Sequence, residues 1–227
     1  MGSKTRVVAA PAFTGAERRV IAACRTPAAV QQYLNGLPYN TEPPPGGATL
    51  RSFRGVVRHG AAHCMEAALA AAVILEQHRM PPLILSFESI DQLDHVLFVY
   101  RRAGLWGSIG RSRDPGLHGR KPLFRTARAL ALSYVEPYVD DHGRITGYTV
   151  VNMAALMGAY DWRLSEQNVW KAERALLEAP HRPIESSDTR IDRLRRRYQA
   201  FRRAHDGRKP LYYRDRHRWS ALPPGNW

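Results

Sequence analysis

A chain of 227 residues with 44% hydrophobic content can bury one core of moderate size plus extensions, or two small cores, and no apolar run approaches the length of a membrane span. Cys24 and Cys64 are the only cysteines, which excludes a disulfide framework and a cysteine-based zinc knuckle, and the N-terminus lacks the basic-then-apolar pattern of a secretory leader, so a cytoplasmic location is expected. The net charge of +14 is concentrated: residues 189–209 hold nine Lys/Arg against two Asp, which suits either an anionic partner or the solvated face of one helix.

Residues 1–13 show little periodicity and read as a flexible tail. A first helix is expected over Ala16–Cys24, with Val20, Ile21 and Cys24 on its apolar side. Thr26-Pro27 supplies an N-cap followed by proline at the first helical position, and the second helix runs to Leu34, where Asn35-Gly36 ends it. Asn40 to Gly47, with three consecutive prolines, reads as a loop, and Leu50 to Val57 is ambiguous.

The stretch from Arg58 to Gln77 dominates the pattern. After His63-Cys64-Met65-Glu66 it is apolar on nearly every side, which marks a core helix rather than a surface one. Gly60 precedes it, while His78-Arg79 and Pro81-Pro82 close it. Cys64 falls in the first turn, where unpaired amides and the helix dipole favour a thiolate, and Glu66 suits the positive end electrostatically. The same cysteine is also compatible with a plain buried position in an Ala-rich helix.

Strand patterns follow. Leu83–Phe87 is a short apolar run, and His95–Tyr100 is the clearest strand in the chain. A turn around Arg102-Ala103 brings Leu105–Ile109 back antiparallel and places Gly110 opposite His95. Arg111 to Lys121, rich in Gly, Pro and charge, reads as a long loop. Leu130–Val139 and Ile145–Val151 are expected as further pairing segments. Ser165 opens a helix through Trp170, Leu176 and Leu177, ended by Pro180. Asp188 caps a last helix with Ile191, Leu194, Tyr198 and Phe201 at helical spacing, and the segment holding Tyr212, Tyr213, Trp219 and Trp227 is aromatic and basic.

A helix with an N-terminal Cys, then a strand, then a strand opening on His, then an antiparallel return, resembles the transglutaminase-like branch of the papain-like cysteine enzymes. The resemblance spans about Thr26 to Ile109 and rests on Gly60…His63-Cys64-Met65-Glu66-Ala67 and Asp94-His95-Val96. It implies that Cys64 is a nucleophile attacking an acyl carbon, that His95 shuttles the proton, and that amides at the helix start meet the oxyanion. It also implies a third residue that orients the histidine. Gly110 has no side chain for that role, which leaves Ser112 and Asp114 as candidates, since Asp94 alternates to the opposite face from His95. His63, Trp106, Ser108 and Arg111 complete the candidate set as substrate-binding residues.

Two other readings compete. His59, His63, Cys64, Asp94 and His95 are zinc-ligand types, but Gly60 interrupts the helix that two histidines four apart would have to share. The C-terminal arginines and aromatics suit phosphates and bases, although the apolar stripe between the arginines argues for packing. The sequence therefore points to an α+β domain over residues 14–185, with the Cys64 helix packed on a small antiparallel sheet, and a basic helical and aromatic extension over 186–227. Its expected activity is that of a cysteine hydrolase or acyltransferase working through a Cys64 thioester, with no metal or cofactor. The expected substrate is a peptide, protein or small acyl compound; the arginines from Arg111 to Arg128 suggest an acidic one. The alternative is a catalytically silent scaffold that binds a protein or nucleic-acid partner through its groove and basic tail.

Overall fold

The computed structural model describes residues 7–92 and 94–209. The expected aromatic tail, with Tyr212, Tyr213, Trp219 and Trp227, lies outside the described residues, as do residues 1–6. The chain begins with α1 (Gly15–Ala23), α2 (Pro27–Gly36), α3 (Phe53–His59) and α4 (Cys64–Glu76). It continues through β1 (Leu83–Ser89), β2 (Val96–Arg102), β3 (Leu105–Ile109), β4 (Arg120–Phe124) and α5 (Ala127–Tyr138). It closes with β5 (Ile145–Asn152), α6 (Met153–Met157), α7 (Trp170–Glu178), β6 (Arg182–Pro183) and α8 (Asp188–Ala204). The class is α+β, as the sequence implies.

Every residue of α4 from Met65 to Glu76 is buried. Its alanines keep the helix narrow, so neighbouring elements approach on all sides, while Leu69, Val73, Ile74 and Leu75 fill the space between them. Each of these large side chains contributes about 1.5–3 kcal/mol through removal from water. One flank of α4 packs on Ile84, Val96, Phe98, Tyr100 and Ile109 of the sheet. The other meets Val30, Leu34, Phe53 and Val56 from α2 and α3.

The six strands are antiparallel throughout, in the order β4-β3-β2-β1-β5-β6. Alternation along β2 sends Val96, Phe98 and Tyr100 towards α4 and Leu97 and Val99 towards α5, where Leu130, Tyr134 and Val135 cover the second face. The β2–β3 turn consists of Ala103 and Gly104, with φ of 49° and 79°. Two positive φ values in a two-residue turn match the right-handed twist of the flanking strands.

That turn lies one residue beyond the expected one and corrects the register. Arg102 pairs with Leu105 and Phe98 with Ile109, so continuing the ladder sets Leu97 against Gly110 and His95 against Ser112. A Cβ at Gly110 would fall 2.2 Å from Leu97 Cδ2, so any larger residue there would have to move the buried Leu97 side chain. Beyond the end of β3, Gln31 takes over as partner: its side-chain amide donates to the Gly110 carbonyl at 2.9 Å and accepts from the Gly110 N–H at 3.0 Å.

Other expectations are also corrected. Leu130–Val139, read as a pairing segment, belongs to α5. Thr126 caps it, and Leu130, Ala131, Tyr134, Val135 and Tyr138 recur with a helical period that buries one face. The end of the Arg111–Lys121 loop enters β4, and the ambiguous Leu50–Val57 stretch becomes α3, capped by Ser52. The helix expected from Ser165 begins at Trp170, and Ser187 rather than Asp188 caps α8. Ile191 and Leu194 of α8 bury against Val139, so the apolar stripe between its arginines is a packing face.

At the far end of α4, Glu76 is buried with its carboxylate against the negative pole of the helix, a position unfavourable unless a cation meets it. Arg163 does so with two hydrogen bonds of 2.7 and 2.6 Å, and its guanidinium also lies over the Trp162 ring. Removing one partner strands the other charge. Arg163→Ala is therefore expected to lower unfolding free energy by about 3–5 kcal/mol in urea titrations, and the double variant Glu76→Leu/Arg163→Met to regain most of that loss. A double variant no more stable than Arg163→Ala would refute this account.

Candidate active site

Cys64 is the first residue of α4, and the residue before it, His63, is the N-cap. In its neutral form the His63 ring accepts from the Met65 N–H through Nδ1 at 3.3 Å, while its Nε2 faces the Thr49 carbonyl at 3.0 Å. Glu66 closes a capping box by accepting from the His63 N–H at 3.0 Å. The same fully buried carboxylate accepts from Asn40 Nδ2, Thr49 Oγ1 and the Arg51 N–H at 2.9–3.0 Å. The loop from Asn40 to Arg51 is thereby tied to the start of the helix, and Tyr39 is set beside Cys64 by its bridge to Ala62. Glu66, read from sequence as a first-turn polar residue, organises this corner.

Cys64 is half-buried, and the imidazoles of His63 and His95 are the groups that act on its thiol. Burial pushes the thiol pKa up. The hydrogen bonds from the two rings and their charge outweigh it and bring Cys64 down to about 6. Burial likewise pulls His63 down, but the hydrogen bond to Cys64 and the Glu66 carboxylate, 3.6 Å from Nε2, raise it to about 9. Between these two values the thiolate and the charged His63 ring coexist. Cys24, in contrast, is buried in the core and its thiol is pushed up by burial alone.

His95 is buried just ahead of β2, and its ring forms a cluster with those of Phe87 and Tyr134. Its Nε2 meets the backbone carbonyl of Leu117 at 2.8 Å. A carbonyl only accepts, so Nε2 carries the proton and Nδ1 is the nitrogen left for the thiol. Ser112 and Asp114, expected to orient the imidazole, are engaged elsewhere. Ser112 Oγ accepts from the Asp114 N–H at 3.1 Å. Asp114 Oδ1 accepts from the Gly116 N–H at 3.2 Å, and its Oδ2 lies 3.2 Å from Lys209 Nζ. The orienting group is main chain, held by a fully buried arginine: Arg120 donates to the carbonyls of His118 at 2.5 Å and Gly116 at 2.7 Å, and lies over the Tyr134 ring.

The Tyr39 hydroxyl faces the Cys64 backbone N–H; burial and the nearby thiolate push it up to about 12, so it stays protonated and able to donate. Arg111 and Arg113 lie over the Tyr39 ring at 5.9 and 5.7 Å, and Arg111 also donates to the Leu37 carbonyl. Arg111, expected to bind substrate, thus braces Tyr39 from behind.

Cys64, His63, His95 and Tyr39 open on a cleft of about 480 Å³ that Ser112 and Asp114 also line. Trp106 and Ser108 do not reach it. Trp106 packs on the α5 side with Arg101 over its ring, and the Ser108 hydroxyl bonds Tyr134 at 2.6 Å and the Arg120 N–H at 2.9 Å. Among the described residues no three His, Cys, Asp or Glu side chains are grouped to hold a metal ion, and His59, at the end of α3, is exposed. No helix among them is long and apolar enough to cross a membrane. Sequence reasoning missed the Leu117 carbonyl, which has no residue signature, and Tyr39, which nothing local marks. His63, expected to bind substrate, caps the helix beside the thiol, and its place next to a cysteine at a helix start is the signal that could have shown this.

No protein-family model matches this sequence, and no curated protein does. Among solved structures, Legionella pneumophila LapG is 13% identical at a TM-score of 0.35, covering 61% of this chain and 77% of that chain. Its calcium-bound form covers 74% and 93% at 0.35, and its EGTA-treated form 82% and 92% at 0.36, both at 13% identity. So loose a likeness carries no argument about chemistry, and the reading below rests on this chain's own residues.

The thiolate is the reactive form, so its fraction and the alkylation rate rise as pH passes upward through the thiol pKa. In a Cys24→Ser background, iodoacetamide alkylation of Cys64 is expected to be half-maximal near pH 6. His63→Ala should move the midpoint upward and slow the reaction at pH 7 by about tenfold. Stopped-time mass spectrometry across pH checks both; a midpoint that ignores His63 would refute the pairing.

Proposed function

We propose that this protein is a transglutaminase-like cysteine hydrolase or acyltransferase acting on an amide or ester acyl group. The observation that carries the reading is one thiol at a helix N-terminus that shares a cleft with an imidazole whose far nitrogen is held by a backbone carbonyl. In this scheme the Cys64 sulfur attacks the acyl carbon and a C–S bond forms. The carbonyl oxygen takes the negative charge and is met by the Cys64 N–H and the Tyr39 hydroxyl. As the carbon–nitrogen or carbon–oxygen bond breaks, the proton that His95 Nδ1 took from the Cys64 thiol passes to the leaving group and a thioester remains. Water or an amine then attacks the thioester while His95 Nδ1 takes its proton, and collapse returns the thiolate. His63 holds the thiolate between turnovers, and Leu117 keeps the His95 ring from rotating.

A chromogenic ester such as p-nitrophenyl acetate tests this without knowledge of the natural substrate. The expected result is a burst of nitrophenol equal to the enzyme present and an acyl adduct on Cys64 after acid quench. Cys64→Ala should abolish both, and His95→Ala should lower the acylation rate by about 10²–10⁴-fold. Wild-type protein with no adduct and a rate equal to that of Cys64→Ala would refute the activity and leave the fold a binding scaffold.

A further inference from the structure

The chain carries a net charge of +14, yet the walls of the cleft in front of Cys64 are acidic. Glu42, Asp91, Asp94, Asp114, Asp140 and Glu173 line it, against Arg113 and Lys209 as the only Lys or Arg of the lining among the described residues. The arginines between Arg111 and Arg128 that suggested an acidic substrate are mostly directed elsewhere: Arg120 is buried in its cage of carbonyls, and Arg128 reaches the Pro183 carbonyl. Carboxylates alone do not make a site. The second observation is what sits among them.

After α8 the chain reverses at Gly207, which adopts φ +74° while its N–H returns to the Arg202 carbonyl. This reversal delivers Lys209 into the cleft, where its ammonium lies 3.2 Å from Asp114 Oδ2. Asp114 is only 8% exposed, and a carboxylate so far from water needs a cation beside it. Its Oδ1 is already taken by the Gly116 N–H, so Oδ2 is the oxygen that reads the incoming charge. The Lys209 side chain is 40% exposed and hangs from a short turn rather than from a packed element, so displacing it disturbs no core contact.

We infer that the cleft selects an acyl substrate bearing a lysine-like ammonium, with Asp114 as the residue that receives it and Lys209 as an occupant in cis that the substrate must displace. The inference rests on the reading of Cys64 as nucleophile, and it names the substrate class for that site. Asp114 thus acts in specificity and not as the residue that orients His95.

Charged thiol reagents of matched size test the idea on the full chain in the Cys24→Ser background. Cys64 attacks a 2-substituted ethyl methanethiosulfonate to form a mixed disulfide with loss of methanesulfinate; the 2-ammonio reagent carries a cation and the 2-sulfonato reagent an anion. Each rate is divided by the reagent's rate with free 2-mercaptoethanol and by the iodoacetamide rate of the same variant, so changes in the thiol itself cancel. The expected cation-to-anion ratio in the wild type is about tenfold or more. It should fall towards one in Asp114→Asn and rise several-fold in Lys209→Gln, the latter variant testing the idea even if the former fails to fold. A wild-type ratio near one with fast iodoacetamide reaction overturns the inference and leaves the catalytic reading standing. Slow iodoacetamide reaction with an ordinary thiol profile overturns the catalytic reading, and substrate selection at this site with it.

Discussion

The Glu66 carboxylate is sealed from solvent and bonded at once to the backbone of the helix cap, to two side chains of the preceding loop and to the backbone of Arg51. A buried charge of this kind is tolerable only when its lone pairs are filled, so each donor has a single position it must occupy. The loop cannot shift without stranding the carboxylate, and the helix start cannot shift without losing its cap. Cys64, His63 and Tyr39 inherit their places from that constraint. The apolar body of α4 supplies the energy that keeps the helix in the core, and Glu66 fixes which way its reactive end faces.

Around the thiol, the protein divides work that one imidazole could not do alone. His63 is attached to the same helix start and stays beside the sulfur through local geometry, which favours the thiolate. His95 arrives from the sheet with a free Nδ1 and a far nitrogen committed to Leu117, which suits a group that must pass a proton back and forth. The Arg120 cage explains how a loop between β3 and β4 holds a carbonyl steadily enough for that purpose.

The electrostatics of the surface and of the cleft run in opposite senses. Arginines crowd the outer face of α8 while carboxylates gather where the thiol opens to solvent. Long-range attraction by the whole molecule favours anions, but a ligand inside the cleft meets nearby carboxylates, and at short range those dominate. Within the cleft the Lys209 ammonium pairs with Asp114 at 3.2 Å.

The amino-acid sequence by itself determined the elements whose cause is local. The all-apolar run after Cys64 has no exposed face to offer, so it had to be a core helix. Thr26-Pro27 starts α2, and the His95–Tyr100 run forms most of β2, because capping, proline geometry and β-propensity act over a few residues. Cys64 and His95, expected as a pair from their order along these elements, line one cleft. Where two periods fitted one stretch, as in Leu130–Val139, only the need to cover the second face of the sheet selected the helix. The turn at Ala103-Gly104 moved the register by two and set Gly110 against Leu97, a choice made by strand twist and side-chain room across the ladder. The Leu117 carbonyl, the Tyr39 hydroxyl and the meeting of Lys209 with Asp114 were decided by tertiary structure alone. Each joins groups far apart in the chain or belongs to the backbone, and neither leaves a mark in residue spacing.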